Sequence, residues 1–256
     1  MRFEERRDFK MIPQNLTVRT SEELVQVLRA VDITVSPCGK GRKSSQVETW
    51  SICRFLATFA YENFFSYPLE IEHADKPDLR IHELVDNENE RCIGVEVVEA
   101  VKENFAKASA IYNRNGSKGL IDLTHFKWGV PRMLKQEIKE IIDQDKPMGP
   151  GWGGDSPERE WAQAMKDTIL NKIAALNKDG FTRFRSNWLL VYDNLALPGV
   201  DRAKSMEFLA ATLDEENYWE NKPERSFEII FVESPEKFLF LKQNDFGEKT
   251  LVDLWS

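Results

Sequence analysis

The chain has 256 residues, 41% hydrophobic and 30% charged, with a formal net charge of −8. It is long enough to bury a core, too apolar to be disordered, and too acidic to be given over wholly to duplex binding, though a local basic patch stays compatible with that balance. No run reaches the roughly 18 apolar residues of a membrane helix, and the charged start MRFEERRDFK lacks the apolar segment of a secretory signal.

Residues 1–20 are weakly patterned and read as irregular or as a short edge element. Thr20 and Ser21 are cap residues, followed by Glu22 and Glu23 in the first turn of a helix that should end near Val31. Residues 37–43, PCGKGRK, read as a flexible basic loop, because their glycines lack the spacing of a phosphate-binding loop. A long helix is expected from Ser44 to about Phe65, with Val47, Trp50, Ile52, Phe55, Leu56 and Phe59 as its apolar face. Residues 69–72 read as a strand. Residues 77–82 and 91–98 are two more, joined by the polar cluster 86–90 into a β-hairpin.

Helical patterns follow over 100–113 and over 129–144, the latter with Pro131 in its first turn, where a missing N–H is harmless. Residues 146–157 are rich in Gly and Pro and read as a long loop, with Trp152 as a lid or a core plug. Ser156 should cap a helix over 157–177 that carries Trp161, Met165, Ile169 and Ile173 at helical spacing. The continuous apolar run 188–192 has the signature of a central strand covered on both faces. A helix over 202–217 and strands over 227–232 and 237–241 complete the chain. This mixture predicts an α/β sheet with helices on both faces, divided into an N-terminal helical segment with its basic loop (1–43) and a main domain (44–256).

Glu96 lies inside an apolar strand and Asp78 opens the strand beside it. A buried carboxylate is normally paired or bound to a metal. Alternation puts Gly94, Glu96 and Val98 on one face. Asp78, Glu96 and the main-chain carbonyl of Val97 would together offer hard oxygen ligands suited to Mg²⁺ or Mn²⁺. A cation held that way can activate a water against a phosphodiester. The histidines His73, His82 and His125 share no ligand spacing and read as surface or structural residues, and Glu72, His73 and Asp75 as solvated. Cys38, Cys53 and Cys92 form no CxxC pair, which speaks against a zinc ribbon and for a reducing cytoplasm.

Pro77-Asp78, the strand Ile93-Gly94-Val95-Glu96-Val97, the apolar strand ending in Tyr192-Asp193 and an acid-bearing helix ahead of them come in a telling order. It resembles the PD-(D/E)xK nuclease superfamily, and in particular its bacterial and phage members. The resemblance implies a restriction-endonuclease-like mixed central sheet over 44–256 and a metal-dependent nuclease of bacterial or phage defence, repair or mobile elements. It further implies Mg²⁺ or Mn²⁺ held by Asp78 and Glu96, with Glu48 as the helical acid. The family lysine falls at Val98, so Lys102, four residues on, is the stand-in for it. The expected partner is nucleic acid, DNA ahead of RNA, with no membrane and with a homodimer allowed. Two basic groups can touch phosphates: Lys178, Arg183 and Arg185 around Phe184, and Lys40, Arg42 and Lys43 near Glu48. The alternative is a catalytically degenerate member acting as a nucleic-acid-binding or protein-interaction subunit.

Overall fold

The computed structural model describes residues 12–37, 39–84, 90–116, 120–144, 146–243 and 245–255. Its strands are β1 (Asn15–Val18), β2 (Leu69–His73), β3 (Leu79–Leu84), β4 (Glu90–Ala100), β5 (Ser186–Asp193), β6 (Ile229–Glu233), β7 (Lys237–Lys242) and β8 (Asp245–Thr250). They form one open sheet in which spatial order is chain order. Pairing is antiparallel from β1 to β4, parallel from β4 to β6, and antiparallel again to β8. Antiparallel neighbours need only a turn, whereas each parallel step needs a crossover. The first crossover carries α3 (Glu103–Asn115), α4 (Lys135–Ile142) and α5 (Ser156–Leu176), and the second α6 (Arg202–Glu215). The helices α1 (Ser21–Arg29) and α2 (Ser44–Tyr61) fall between β1 and β2. Among the described residues no helix is long and apolar enough to cross a membrane.

Strand alternation sorts the side chains of β4 between two cores. Ile93, Val95 and Val97 join Leu24, Leu28, Phe55, Phe59 and Phe231 beneath α1 and α2. Ala100 joins Leu189, Val191, Trp161, Met165 and Leu209 beneath α5 and α6. The mixed sheet is therefore covered on both faces, and β5 is buried on both because parallel partners flank it and helices lie above and below.

Several local expectations shift. Residues 15–29, expected in a separate segment ending at 43, instead supply β1 and α1 to the same sheet and core. The helix expected to reach Phe65 stops at Tyr61, and Asn63 beyond it adopts a left-handed φ of 50°. The helix expected from Gly129 begins only at Lys135. Asn104 explains the delay: its side chain donates to the Pro131 carbonyl at 2.8 Å and accepts from the Met133 N–H at 2.9 Å, so this backbone is satisfied without helix. The hairpin turn at 86–90 falls largely outside the described residues, and Glu90 already belongs to β4. The two outer strands are short, β1 alternating Asn15 and Thr17 with the inward Leu16 and Val18 and β8 mostly polar, and a short edge strand is one way in which sheets avoid pairing with other chains.

One buried ion pair ties α2 to β6. Arg54 Nη1 lies 2.6 Å from Glu233 Oε1, with side-chain exposures of 7% and 0%. Trp50 Nε1 donates to the same oxygen at 2.9 Å, and Arg54 Nη2 donates to the Pro235 carbonyl at 3.2 Å. Burial pushes the Glu233 carboxyl above its usual range, and the Arg54 charge works against that push. Removing one partner strands the other charge, which costs about 3 kcal/mol or more. Arg54→Met is expected to lower the stability measured by urea unfolding by about that amount, and adding Glu233→Leu should restore most of it.

Candidate metal centre

The hairpin of β3 and β4 pairs Leu79 with Val95 and Ile81 with Ile93. Asp78 lies in the bend one residue before β3, beside the Leu79–Val95 pair that ends the ladder, so the strand expected from Pro77 begins at Leu79. Asp78 Oδ2 accepts a hydrogen bond from the Val97 N–H at 2.7 Å. A strand residue directs its N–H and C=O to the same side, so the Val97 carbonyl also points toward Asp78. Asp78, Glu96 and the Val97 backbone therefore meet at the mouth of β3.

The pair is electrostatically strained. The Asp78 carboxyl is pushed up to about 7, first by burial and then by the neighbouring Glu96 charge. The Val97 N–H and Lys172 hold it back, and the Glu48 charge adds a smaller push. Glu96 is only 8% exposed. Its Oε1 lies 2.7 Å from Lys172 Nζ, while its Oε2 is buried without any hydrogen-bond partner. An unsatisfied buried acceptor costs about 1–3 kcal/mol. A cation would remove that cost and the Asp78–Glu96 repulsion together. Two carboxylates and a carbonyl are an all-oxygen set, which fits Mg²⁺ or Mn²⁺.

The lysine beside this pair is one the sequence did not single out, Lys172, on the helix expected over 157–177. Val98, two residues after Glu96, packs against the core beneath α5 and α6. Lys172 reaches Glu96 from α5 instead. Lys102, the expected stand-in, is not brought to the carboxylates. Its Nζ lies 2.7 Å from Glu160 Oε1, 3.2 Å from the Ala196 carbonyl and 5.3 Å from the centre of the Trp152 ring. Glu160 and Lys172 stand twelve residues apart on α5, about 18 Å along its axis. The chain leaves β4 at Ala100, and Lys102 caps α3 near the start of α5, far from the Glu96 end. Trp152, partly buried and outside the core clusters, lies over Lys102, its Nε1 donating to Glu160 Oε2 at 2.6 Å.

A signal for Lys172 existed. Trp161, Met165, Thr168 and Leu176 form the buried seam of α5, and Lys172 completes it at spacings of four, three, four and four. A lysine in a seam position needs a carboxylate in front of it. Glu48, the fifth residue of α2, is half-buried and reaches Asp78 through its charge. Glu48, Asp78 and Glu96 do not form a set whose ligand oxygens all lie within 4.8 Å of one another. The Tyr192-Asp193 ending of β5 is a structural anchor: Asp193 Oδ2 accepts from Trp161 Nε1 at 2.8 Å and pairs with Arg202 at 2.8 Å.

The loop before β5 lies against this centre. Asn187 fixes it by accepting from the Phe184 N–H at 3.1 Å and donating to the Phe184 carbonyl at 2.7 Å. The Phe184 ring then rests on Gly94, where a Cβ would stand 2.7 Å from the ring and 3.0 Å from Pro77. Gly94 shares its strand face with Glu96, so Arg183 and Arg185, both exposed, flank the site. Among the described residues neither arginine makes an ion pair or hydrogen bond. Lys43 is likewise exposed, whereas Arg42 is bound to Glu99 at 2.6 Å. Gly94→Ala is expected to lower stability by about 1–2 kcal/mol in thermal unfolding, because the ring must leave its seat. Phe184→Ala in that background should recover part of the loss.

No family model, curated protein or solved structure matches this chain.

Proposed function

We propose that the protein is a metal-dependent nuclease that hydrolyses phosphodiester bonds of DNA, with RNA as the second substrate class. On this reading it is a PD-(D/E)xK member with a restriction-endonuclease-like sheet, serving bacterial or phage defence, repair or mobile elements. One observation carries the reading. Glu96 presents a buried, unpartnered carboxylate oxygen beside a second carboxyl strained up to about 7, with a lysine 2.7 Å from its other oxygen.

Asp78, Glu96 and the Val97 carbonyl would hold Mg²⁺ or Mn²⁺, which lowers the pKa of a coordinated water and offsets charge on the phosphodiester. Asp78 is oriented by the Val97 N–H, so its carboxylate is set before any cation binds. Glu96 is fixed by Lys172, which leaves Oε2 as its open ligand atom. The Lys172 ammonium supplies a fixed positive charge where negative charge grows on the phosphoryl oxygens, the role that the family lysine would play from Val98. Arg183 and Arg185 would contact flanking phosphates, with Phe184 anchoring their loop rather than stacking on a base.

The test is incubation with supercoiled plasmid and linear duplex in Mg²⁺ or Mn²⁺. Wild type should cut both, and Asp78→Ala or Glu96→Ala should lose about a thousandfold or more of the rate. Val98 at the family lysine position favours the second reading, a degenerate nucleic-acid-binding subunit. Wild type that binds DNA but cuts no better than these two variants would establish it over the first.

A further inference from the structure

The outer half of the same hairpin gathers a different set of donors. His82 and Cys92 are direct cross-strand partners, and Glu90 precedes Cys92 by two residues on the same face. His82 Nδ1 lies 3.1 Å from Glu90 Oε1 and 3.2 Å from Cys92 Sγ, and Cys92 Sγ lies 3.5 Å from Glu90 Oε1. Among the described residues this is the one group of three His, Cys, Asp or Glu side chains whose ligand atoms all lie within 4.8 Å of one another.

We propose that His82, Glu90 and Cys92 form a binding site for Zn²⁺, separate from the Asp78–Glu96 centre. The distances are those of three corners of a ligand tetrahedron. Bonds of about 2.0–2.3 Å to zinc place tetrahedral donors about 3.3–3.7 Å apart, close to the spacings seen. One imidazole nitrogen, one thiolate and one carboxylate form a borderline-soft set that suits zinc and does not suit magnesium. Strand pairing already fixes the His82 and Cys92 backbones, so little rearrangement is needed to close the site. The half-exposed Glu90 leaves the fourth position to solvent. Binding exchanges the Cys92 thiol proton, released to the buffer, for the cation.

Cys92 and Glu96 are four residues apart along β4, about 13 Å. That is well beyond the roughly 4 Å between ions of a two-metal catalytic centre. Zinc here would clamp the hairpin that carries Asp78 and Glu96, and it stands whether or not that pair cuts nucleic acid.

The probe is Co²⁺, followed by Zn²⁺ displacement, on the full chain. Co²⁺ should give a thiolate charge-transfer band in the near ultraviolet at one equivalent, removed by Zn²⁺ and not by excess Mg²⁺. Cys92→Ala should abolish the band, and His82→Ala or Glu90→Gln should weaken binding on the order of a hundredfold. Zn²⁺ should raise the melting temperature by about 5 °C in wild type and in Asp78→Ala, but not in Cys92→Ala. The proposal fails if Co²⁺ gives no such band, or if the band survives Cys92→Ala and so belongs to Cys38 or Cys53. It also fails if the Zn²⁺ stabilisation disappears with Asp78.

Discussion

Lys172→Met is expected to cut the rate constant for phosphodiester cleavage by about 10²–10³, the usual cost of removing one preorganised charge from a transition state. The Mg²⁺ concentration for half-maximal activity should stay the same or fall, because Glu96 loses the cation that competes for its charge. A lysine serving only as a structural counter-ion would behave differently. Its loss would lower stability, and per folded molecule the turnover would hold. Lys102→Met supplies the contrast. Its ammonium is 3% exposed and paired with Glu160, and burial pulls its pKa down while Glu160 opposes that. Losing it should destabilise the protein by about 2 kcal/mol or more through the stranded Glu160 charge, with turnover of the folded fraction kept within about threefold. Circular dichroism melts beside single-turnover cleavage separate the two lysines. Equal loss of turnover in both variants would overturn the assignment.

Asp78→Asn is expected to move stability and activity in opposite directions. The Asp78 carboxyl rises from an ordinary value of 3.8 to about 7 in the folded chain, mainly through burial and the Glu96 charge. The folded chain thus holds that proton more tightly than the unfolded one. Stability contributed by this group therefore falls as pH rises from about 4 to about 7 and stays flat above. An amide at this position can still accept the Val97 N–H bond but carries no charge against Glu96. Without metal at pH 8, Asp78→Asn should raise stability on the order of 2 kcal/mol, or several degrees in melting temperature. At pH 5 wild type is itself protonated and most of the gap should close. Metal binding and cleavage should drop by about a thousandfold or more. An Asp78→Asn protein less stable than wild type at pH 8 would mean that the carboxylate is a structural anchor and not a strained ligand.

The strain at Asp78 and the unpartnered oxygen of Glu96 are what a folding optimum would remove, and sites that trade stability for ligand binding keep such features. The zinc site proposed on the same hairpin would compensate by fixing the two strands against each other close to the strain.

Much of the architecture was legible in the chain itself. The apolar run 188–192 marked the central strand, because burial on both faces leaves no polar alternation to read. The seam of α5 and the capping residue Thr20, whose Oγ accepts from the Glu23 N–H at 3.3 Å, are local features written in spacing and residue type. The hairpin was legible for the same reason: alternation within β4 put Glu96 on one face and Val95 and Val97 on the other. The edge β1 was left between irregular chain and a short edge element, because four residues are too few to read a period, and β8 was not read, since DFGEKT carries no apolar alternation. The late start of α4 depended on Asn104, twenty-seven residues before Pro131.

Local pattern alone thus determined that one carboxylate would sit in an apolar strand, while the second, Asp78, expected to open the strand beside it, lies in the bend one residue before β3. Which lysine faces them was decided only by tertiary packing. Val98 points into the core beneath α5, Lys102 is carried past the site by the end of β4, and Lys172 arrives from the helix covering that face of the sheet, seventy-six residues from Glu96. The His82–Glu90–Cys92 cluster shows the same limit from the other side. No linear ligand spacing joins these residues, and only the hairpin register brings them within 3.5 Å. Backbone periodicity is a short-range property of the chain, whereas a site depends on where crossovers land, and that is set by the summed burial of both cores.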